Sequence, residues 1–326
     1  MPEIQFRQAL RQAMSEEMER DENVFLMGEE VGEYQGAYKV SEGMLERFGP
    51  RRVFDTPISE NGLCGLGVGA AMCGLRPIIE LMSWSFSFVA FDQLVNNAAN
   101  IRYMSGGQFK FPIVFRGGNG IAHQLGATHS HRVDILYART PGLVVVAPGT
   151  PYDAKGLLKS SIRCDDPVCF LESELMLNDR GEVPEGDYTI PLGVADVKKE
   201  GEDVTIVTWG KCLKMALKAA QVLAEQHDID AEVLDLRTLR PLDEQAIINS
   251  IRKTNRCVVL DEDWTYGGMG GAIIAQVQEK AFDDLDAPIK RVCSEDVPVP
   301  FSHVLEVEMQ PSVEECVQAV RDVCYR

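Results

Sequence analysis

Two segments of the 326-residue chain carry side chains suited to proton transfer. In DTPISENG, Glu60 follows a short β-like run and precedes a glycine-rich helical stretch. That places it at the C-terminal end of a parallel strand, where open α/β sheets take their ligands. Pro57, Ile58, Trp84 and Phe86 are available as apolar walls, and such walls raise a carboxyl pKa and strengthen its hydrogen bonds. Ser59, Glu60 and Asn61 equally suit the first turn of a helix, so capping and catalysis both stand open for this carboxylate. The second segment, HQLGATHSHRVD, gathers His123, His129 and His131 out of a total of 5 histidines. Imidazole titrates near neutrality and suits proton transfer. A metal site at His129 and His131 is disfavoured because only Asp134 stands beside them as a further ligand. Solvated loop histidines are the ordinary reading of His123 and His131.

The elements that must position these groups follow from periodicity. From Glu3 to Met18 apolar residues recur at three and four, the spacing of one helix face. Short β-like runs follow at Val24–Met27, Val53–Phe54, Pro77–Leu81, Ile113–Phe115, Val144–Ala147 and Val168–Leu171, alternating with helical stretches such as Gly62–Cys73. Such alternation reads as α/β, a parallel sheet covered by helices on both faces. Around Asn178–Leu192 the chain turns rich in charge and turn formers, and then the pattern restarts with DVTIVTWG, a helix over Lys211–Gln226 and AEVLDLRTLRPLD. CVVLDEDW, a helix over Gly271–Ala281, the strand IKRVC and a helix over Ser312–Val323 complete a second, smaller unit. The expected division is residues 1–190 and 191–326, each built on a parallel sheet.

Gly65, Gly67 and Ala70 match the spacing of a dinucleotide turn, with Glu80 at the end of the next strand as an acidic ribose ligand. That turn wants its first glycine directly after the strand, whereas DTPISEN intervenes here. Gly62, Gly65, Gly69 and Gly74 recur at helical separations instead, the pattern of a helix packed tightly on a neighbour. The cluster Gly267, Gly268, Gly270 and Gly271 makes a second strand-to-helix turn whose amides suit an anion or simply a tight bend.

Composition narrows the partners. With 32 Lys+Arg against 50 Asp+Glu the net charge is −18, which disfavours nucleic acid, since phosphate binding is driven by Lys and Arg. The 9 cysteines are scattered without a CxxC pair, fitting a reducing compartment without disulfide framework or zinc site. The opening MPEIQFRQALRQAM lacks an apolar signal core, and no run approaches a membrane span, so a cytoplasmic location without a span is expected.

The string DTPISENGLCGLGVGAAMCGLRPIIE, with FDQLVNNAA, YMSGGQ, PIVFRGGNG, ATHSH, PGLVVVAPGTPYDAKGLLKSSIR and LRTLRPLD, resembles the β subunits of thiamine diphosphate dependent 2-oxoacid dehydrogenases. The likeness runs essentially end to end, and DTPISE, YMSGG and VFRGGNG resemble the pyruvate branch more than the branched-chain or acetoin branches. It implies a pyrimidine-binding domain followed by a transketolase C-terminal domain, in an α2β2 enzyme that decarboxylates pyruvate and acetylates a lipoyl group toward acetyl-CoA. The α subunit of such enzymes supplies the magnesium and diphosphate motif, which begins GDG; no GDG occurs here, and the chain is expected to be inactive alone.

By position-wise match Glu60 corresponds to the glutamate that hydrogen-bonds the pyrimidine ring nitrogen of thiamine diphosphate, shifting its amine to the imino form. Ile58, Met82 and Phe86 correspond to the walls of the pyrimidine, with plain core packing as the alternative for each. His129 corresponds to a histidine that helps move protons when the acyl group passes to lipoamide, and His131 stands where Gln is usual. Ile113, Ser161, Ile162, Cys164 and Asp166 correspond to a potassium site built mostly from carbonyls, with Cys164 in place of Asp. A lipoyl-bearing dihydrolipoyl acetyltransferase is the implied further partner, its basic binding module docking on the acidic second domain. A branched-chain or acetoin β subunit, and a non-catalytic assembly subunit, are the rival readings.

Overall fold

A computed structural model describes residues 1–326, which divide into two compact units, Met1–His123 with Thr128–Leu192, and Gln124–Ala127 with Gly193–Arg326. The first contains β1 (Glu3–Gln5), α1 (Phe6–Arg20), β2 (Val24–Gly28), α2 (Met44–Phe48), β3 (Val53–Asp55), α3 (Glu60–Met72), β4 (Arg76–Ser83), α4 (Ala99–Met104), β5 (Val114–Gly118), α5 (Asp134–Ala138), β6 (Val144–Val146), α6 (Pro151–Arg163), β7 (Val168–Glu172) and β8 (Arg180–Glu182). The strand order β6-β7-β5-β4-β2-β3 is parallel throughout. Every residue of β2, β5 and β7 is buried, as strands covered on both faces require.

Neighbouring residues of one strand serve opposite layers. Ile78 of β4 joins the core beneath α1 and α6, with Phe6, Leu10, Met14, Leu157 and Leu158. Ile79 points the other way and meets α3, where a Cβ added to Gly67 would stand 2.7 Å from its Cδ1 and 3.0 Å from Ile113 Cδ1. The close-approach glycine of this helix is therefore Gly67. Gly62 and Gly65 would meet only Ser59 Oγ at 3.0 Å and Gln93 at 3.5 Å, and Gly69 and Gly74 would meet nothing within 4 Å. Helical spacing located the helix but not its packed face.

The first helix also differs from the periodic reading. It starts at Phe6, because Glu3–Gln5 pairs antiparallel with Arg180–Glu182, a partner too distant in sequence for local spacing to reveal. A buried ion cluster bridges three adjacent strands. Arg116 of β5 gives Nε and Nη2 to the Glu172 carboxylate of β7 at 2.5 and 2.6 Å, and Nη1 to Glu80 of β4. Burial pushes the Glu80 carboxyl up against the opposing pull of Arg116. Glu80 is thus a partner in an ion cluster within the sheet.

The second unit contains β9 (Asp196–Lys199), β10 (Val204–Thr208), α7 (Cys212–His227), β11 (Ala231–Asp235), β12 (Thr238–Arg240), α8 (Glu244–Thr254), β13 (Cys257–Trp264), α9 (Met269–Lys280), β14 (Lys290–Ser294), α10 (His303–Glu308) and α11 (Val313–Cys324). Its sheet runs β14-β13-β10-β11-β9 and is parallel except for β9. Val204, Ile206, Val258 and Leu260 pack against Leu213, Ala216 and Leu223 of α7 and Cys316 and Val320 of α11. Ser312 caps α11 through a reciprocal bond pair with Glu315. No helix is long and apolar enough to cross a membrane.

Candidate active site

Glu60 is the first residue of α3, immediately beyond the loop that leaves β3. Ser59 precedes it as N-cap but its side chain makes no capping bond, and no capping box forms. An acidic residue in a first turn is favoured by the helix dipole, which accounts for an anion here without assigning it a partner. The carboxylate is 9% exposed, and no hydrogen bond of the chain engages it. Capping therefore does not consume this group.

A second carboxyl stands beside it. Glu29 follows the last residue of β2, and burial first, then the charge of Glu60, push its pKa above the ordinary carboxylate value. Its Oε1 is buried without a hydrogen-bond partner. The same edge of the sheet holds other unspent polar atoms: Thr56 Oγ1 just after β3, and Ser173 Oγ and Glu174 Oε2 just after β7. Buried polar groups are normally satisfied, so these unspent atoms at the C-terminal ends of β2, β3 and β7 are available to a ligand at the edge where parallel sheets bind them. Burial and the charges of Glu60 and Glu29 push the Cys64 thiol up, which leaves it protonated and inert. The sequence reading does not single out Glu29, although its place directly after the apolar strand β2 also puts it at a parallel strand's C-terminal end.

The aromatic and histidine groups meet on a turn over Trp84–Phe88. That turn follows β4, is capped by Ser83 accepting the Ser85 N–H, and packs against α3. Phe86 meets the His129 ring edge-on, centroids 5.1 Å apart at 87°, and Phe88 meets His131 in the same way at 4.9 Å and 83°. Thr128 Oγ1 and His129 Nδ1 share a hydrogen bond at 2.8 Å, leaving Nε2 for another partner. Burial and the neighbouring His129 lower the His131 pKa. Met82 is half-buried near the end of β4, whereas Ile58 is 84% exposed and turns outward from this chain. Trp84 is not a wall of the crevice: it is wholly buried, its ring 5.2 Å from Tyr137 and its indole N–H on the Phe170 carbonyl at 3.3 Å. His123 is exposed and stands apart from these ring pairs.

At the candidate cation positions, the carbonyls of Ile162 and Cys164 converge on one point, occupied by Arg76 Nη1 at 3.0 and 3.1 Å. The Ile113 carbonyl accepts the Val168 N–H at 2.9 Å and that of Ser161 the Cys164 N–H at 3.2 Å, while the Asp166 carboxylate pairs with Arg102. The Cys164 thiol instead accepts the Asp166 N–H at 3.4 Å.

Comparison with known proteins settles what the fold belongs to. Residues 2–179 match the transketolase pyrimidine binding domain, and residues 193–316 match the transketolase C-terminal domain. A pyruvate dehydrogenase E1 component subunit beta of Rickettsia felis is 53% identical over 323 residues, covering 99% of each chain. The chain belongs to the pyruvate dehydrogenase β-subunit family. Another member, from Rhizobium meliloti, is 49% identical over all of this chain and 71% of its own length. A solved split gene transketolase, described as an inactive beta4 tetramer, superposes with a TM-score of 0.81 at 25% identity over 99% of this chain and 98% of its own. The β-subunit family is thiamine diphosphate dependent and transketolase-like, and the two α/β units have the architecture it requires.

Proposed function

We infer that the chain is the β half of a pyruvate dehydrogenase, which with an α subunit in an α2β2 assembly decarboxylates pyruvate and passes the acetyl group to a lipoyl-bearing acetyltransferase. The observation that carries the reading is the Glu60 carboxylate, buried at the head of α3, unengaged by the chain's own hydrogen bonds and flanked by Glu29, whose pKa burial and the Glu60 charge raise. The unspent polar atoms along the same strand ends fit a polar heterocycle lying there. Bound thiamine diphosphate supplies the carbon nucleophile and the electron sink for decarboxylation. Glu60 holds the proton exchanged with the pyrimidine ring nitrogen, and Glu29, its pKa raised by burial and by the Glu60 charge, stands beside that carboxylate. Ile58, Met82 and the Phe86 ring give apolar surface to the heterocycle. His129 Nε2 moves a proton as one lipoyl sulfur takes the acetyl group and the other becomes a thiol.

In this reading the α subunit supplies the magnesium and diphosphate site. A potassium ion would be held by main-chain oxygens of Ile113, Ser161, Ile162, Cys164 and Asp166, donors that suit a hard cation. The Ile162 and Cys164 carbonyls accept Arg76 Nη1 here, so a potassium ion at their point of convergence would have to displace that guanidinium. The acidic second unit docks the acetyltransferase, and raising salt should weaken that association.

The test is Glu60→Gln in the assembled α/β enzyme. Removing one preorganised proton-bearing group of about 3 kcal/mol lowers turnover roughly a hundredfold. Full activity with assembly intact would refute the assignment. Turnover of pyruvate against 2-oxoisovalerate separates the pyruvate branch from the branched-chain one.

A further inference from the structure

The two imidazoles of the 127–131 turn are held very differently. His129 is exposed and touches only its neighbour Thr128 and the edge of Phe86. His131 is half-buried and fixed from several sides. Its backbone N–H donates to Ser85 Oγ at 3.1 Å, its Nδ1 shares a hydrogen bond with the same hydroxyl at 3.3 Å, and its ring meets Phe88. Its carbonyl accepts the Gly120 N–H at 3.0 Å, tying the turn to the segment beyond β5. Phe86 and Phe88 are two residues apart, as are His129 and His131, so the two edge contacts stack in register between the turns.

We propose that His131 is the positioning residue for His129, a clip that joins the 127–131 turn to the 84–88 turn and thereby aims the exposed imidazole. The inference rests on the reading of His129 given above and adds a second residue to it. The clip has Ser85 Oγ accept the backbone N–H and donate its own proton to Nδ1, which requires the His131 tautomer bearing hydrogen on Nε2. Burial, and then the neighbouring His129, lower its pKa and so favour the uncharged ring. A neutral acceptor is what the clip needs. A carboxamide oxygen can take the place of Nδ1, whereas a methyl group cannot.

The experiment compares His129→Ala, His131→Ala and His131→Gln in the assembled α/β enzyme. Reductive acetylation is read on a free lipoyl domain, and decarboxylation is read with an artificial electron acceptor. Misaiming a proton-transfer group by a fraction of an ångström slows its step about tenfold. His131→Ala is therefore expected to slow reductive acetylation about tenfold and decarboxylation less than twofold, with His131→Gln restoring most of the loss. Ser85→Ala, which removes the hydroxyl alone, should give a smaller split in the same direction and serves if His131→Ala fails to assemble. If His129→Ala slows reductive acetylation but neither His131→Ala nor Ser85→Ala does, the clip is wrong and the reading of His129 survives. If His129→Ala leaves that step intact, the reading of His129 itself falls. Equal loss in both half-reactions, or no rescue by His131→Gln, would make His131 merely structural and overturn the proposal.

Discussion

Gly67 tests whether the Glu60 carboxylate, to which we assign the proton exchange, is aimed by the seat of its helix. A methyl group there would stand 2.7 and 2.9 Å from Ile79 Cδ1 and Cγ1 and 3.0 Å from Ile113 Cδ1. Carbon atoms in contact prefer about 3.5–4.0 Å. Two side chains stand in the way, Ile79 of β4 and Ile113 just before β5, so either they or α3 must shift by the better part of an ångström. Overpacking of this kind costs about 1–3 kcal/mol. Replacing a helical glycine by alanine returns roughly 0.5–1 kcal/mol. The net loss for Gly67→Ala is about 1–2 kcal/mol, a fall in Tm of roughly 2–8 °C. Glu60 is two turns away on the same rigid element, and a misplacement near 1 Å costs up to about a hundredfold in rate. The assays are thermal unfolding of the chain and turnover of the α/β enzyme. Unchanged Tm and unchanged kcat in Gly67→Ala would refute the claim that Gly67 seats α3.

Glu29→Gln should stabilise the chain at pH 7. A carboxyl whose folded pKa is raised binds more protons folded than unfolded, so its contribution to stability falls as pH rises from about 4.5 through the folded value. Thermal melts from pH 4 to 8 should show the gain shrinking toward zero at the acid end, and a gain independent of pH would contradict the raised pKa. Arg116→Met leaves two buried carboxylates facing each other and should cost about 3–5 kcal/mol in denaturant unfolding. A loss under 1 kcal/mol would mean that the cluster is open to water. Cys164→Ala should leave any potassium dependence of Tm unaltered, because the proposed ligand is the Cys164 carbonyl, which the substitution keeps, while the thiol accepts the Asp166 N–H; loss of that dependence would give the ligand role to sulfur.

The alternation of strands and helices was legible because parallel strands buried on both faces read as short apolar runs, Val24–Met27 and Val168–Leu171 among them. What escaped was whatever depends on facing direction or distant partners. Helical spacing of glycines found α3 but could not tell Gly67, which faces Ile79, from Gly69, which faces nothing. Trp84 and Phe86 both lie after β4, which suggests two walls, yet a helical turn sends residues two apart to different sides and buries Trp84 against Tyr137. Glu60 stood out by its flanking turn residues. Glu29 also lies beyond the C-terminal end of a strand but is followed by no helix signal. The pairing of β1 with β8, and of Arg116 with Glu80 and Glu172, lies across long stretches of chain where local pattern is silent.

The buried guanidinium also bears on how this sheet assembles. Strands that are apolar on both faces offer little to tell one alignment from a neighbouring one. Arg116, directly opposite Glu80 and within reach of Glu172, supplies that discrimination. Sliding β5 by two residues past either neighbour would strand a full charge in hydrocarbon, so misaligned sheets are eliminated by an electrostatic penalty before helices can cover them.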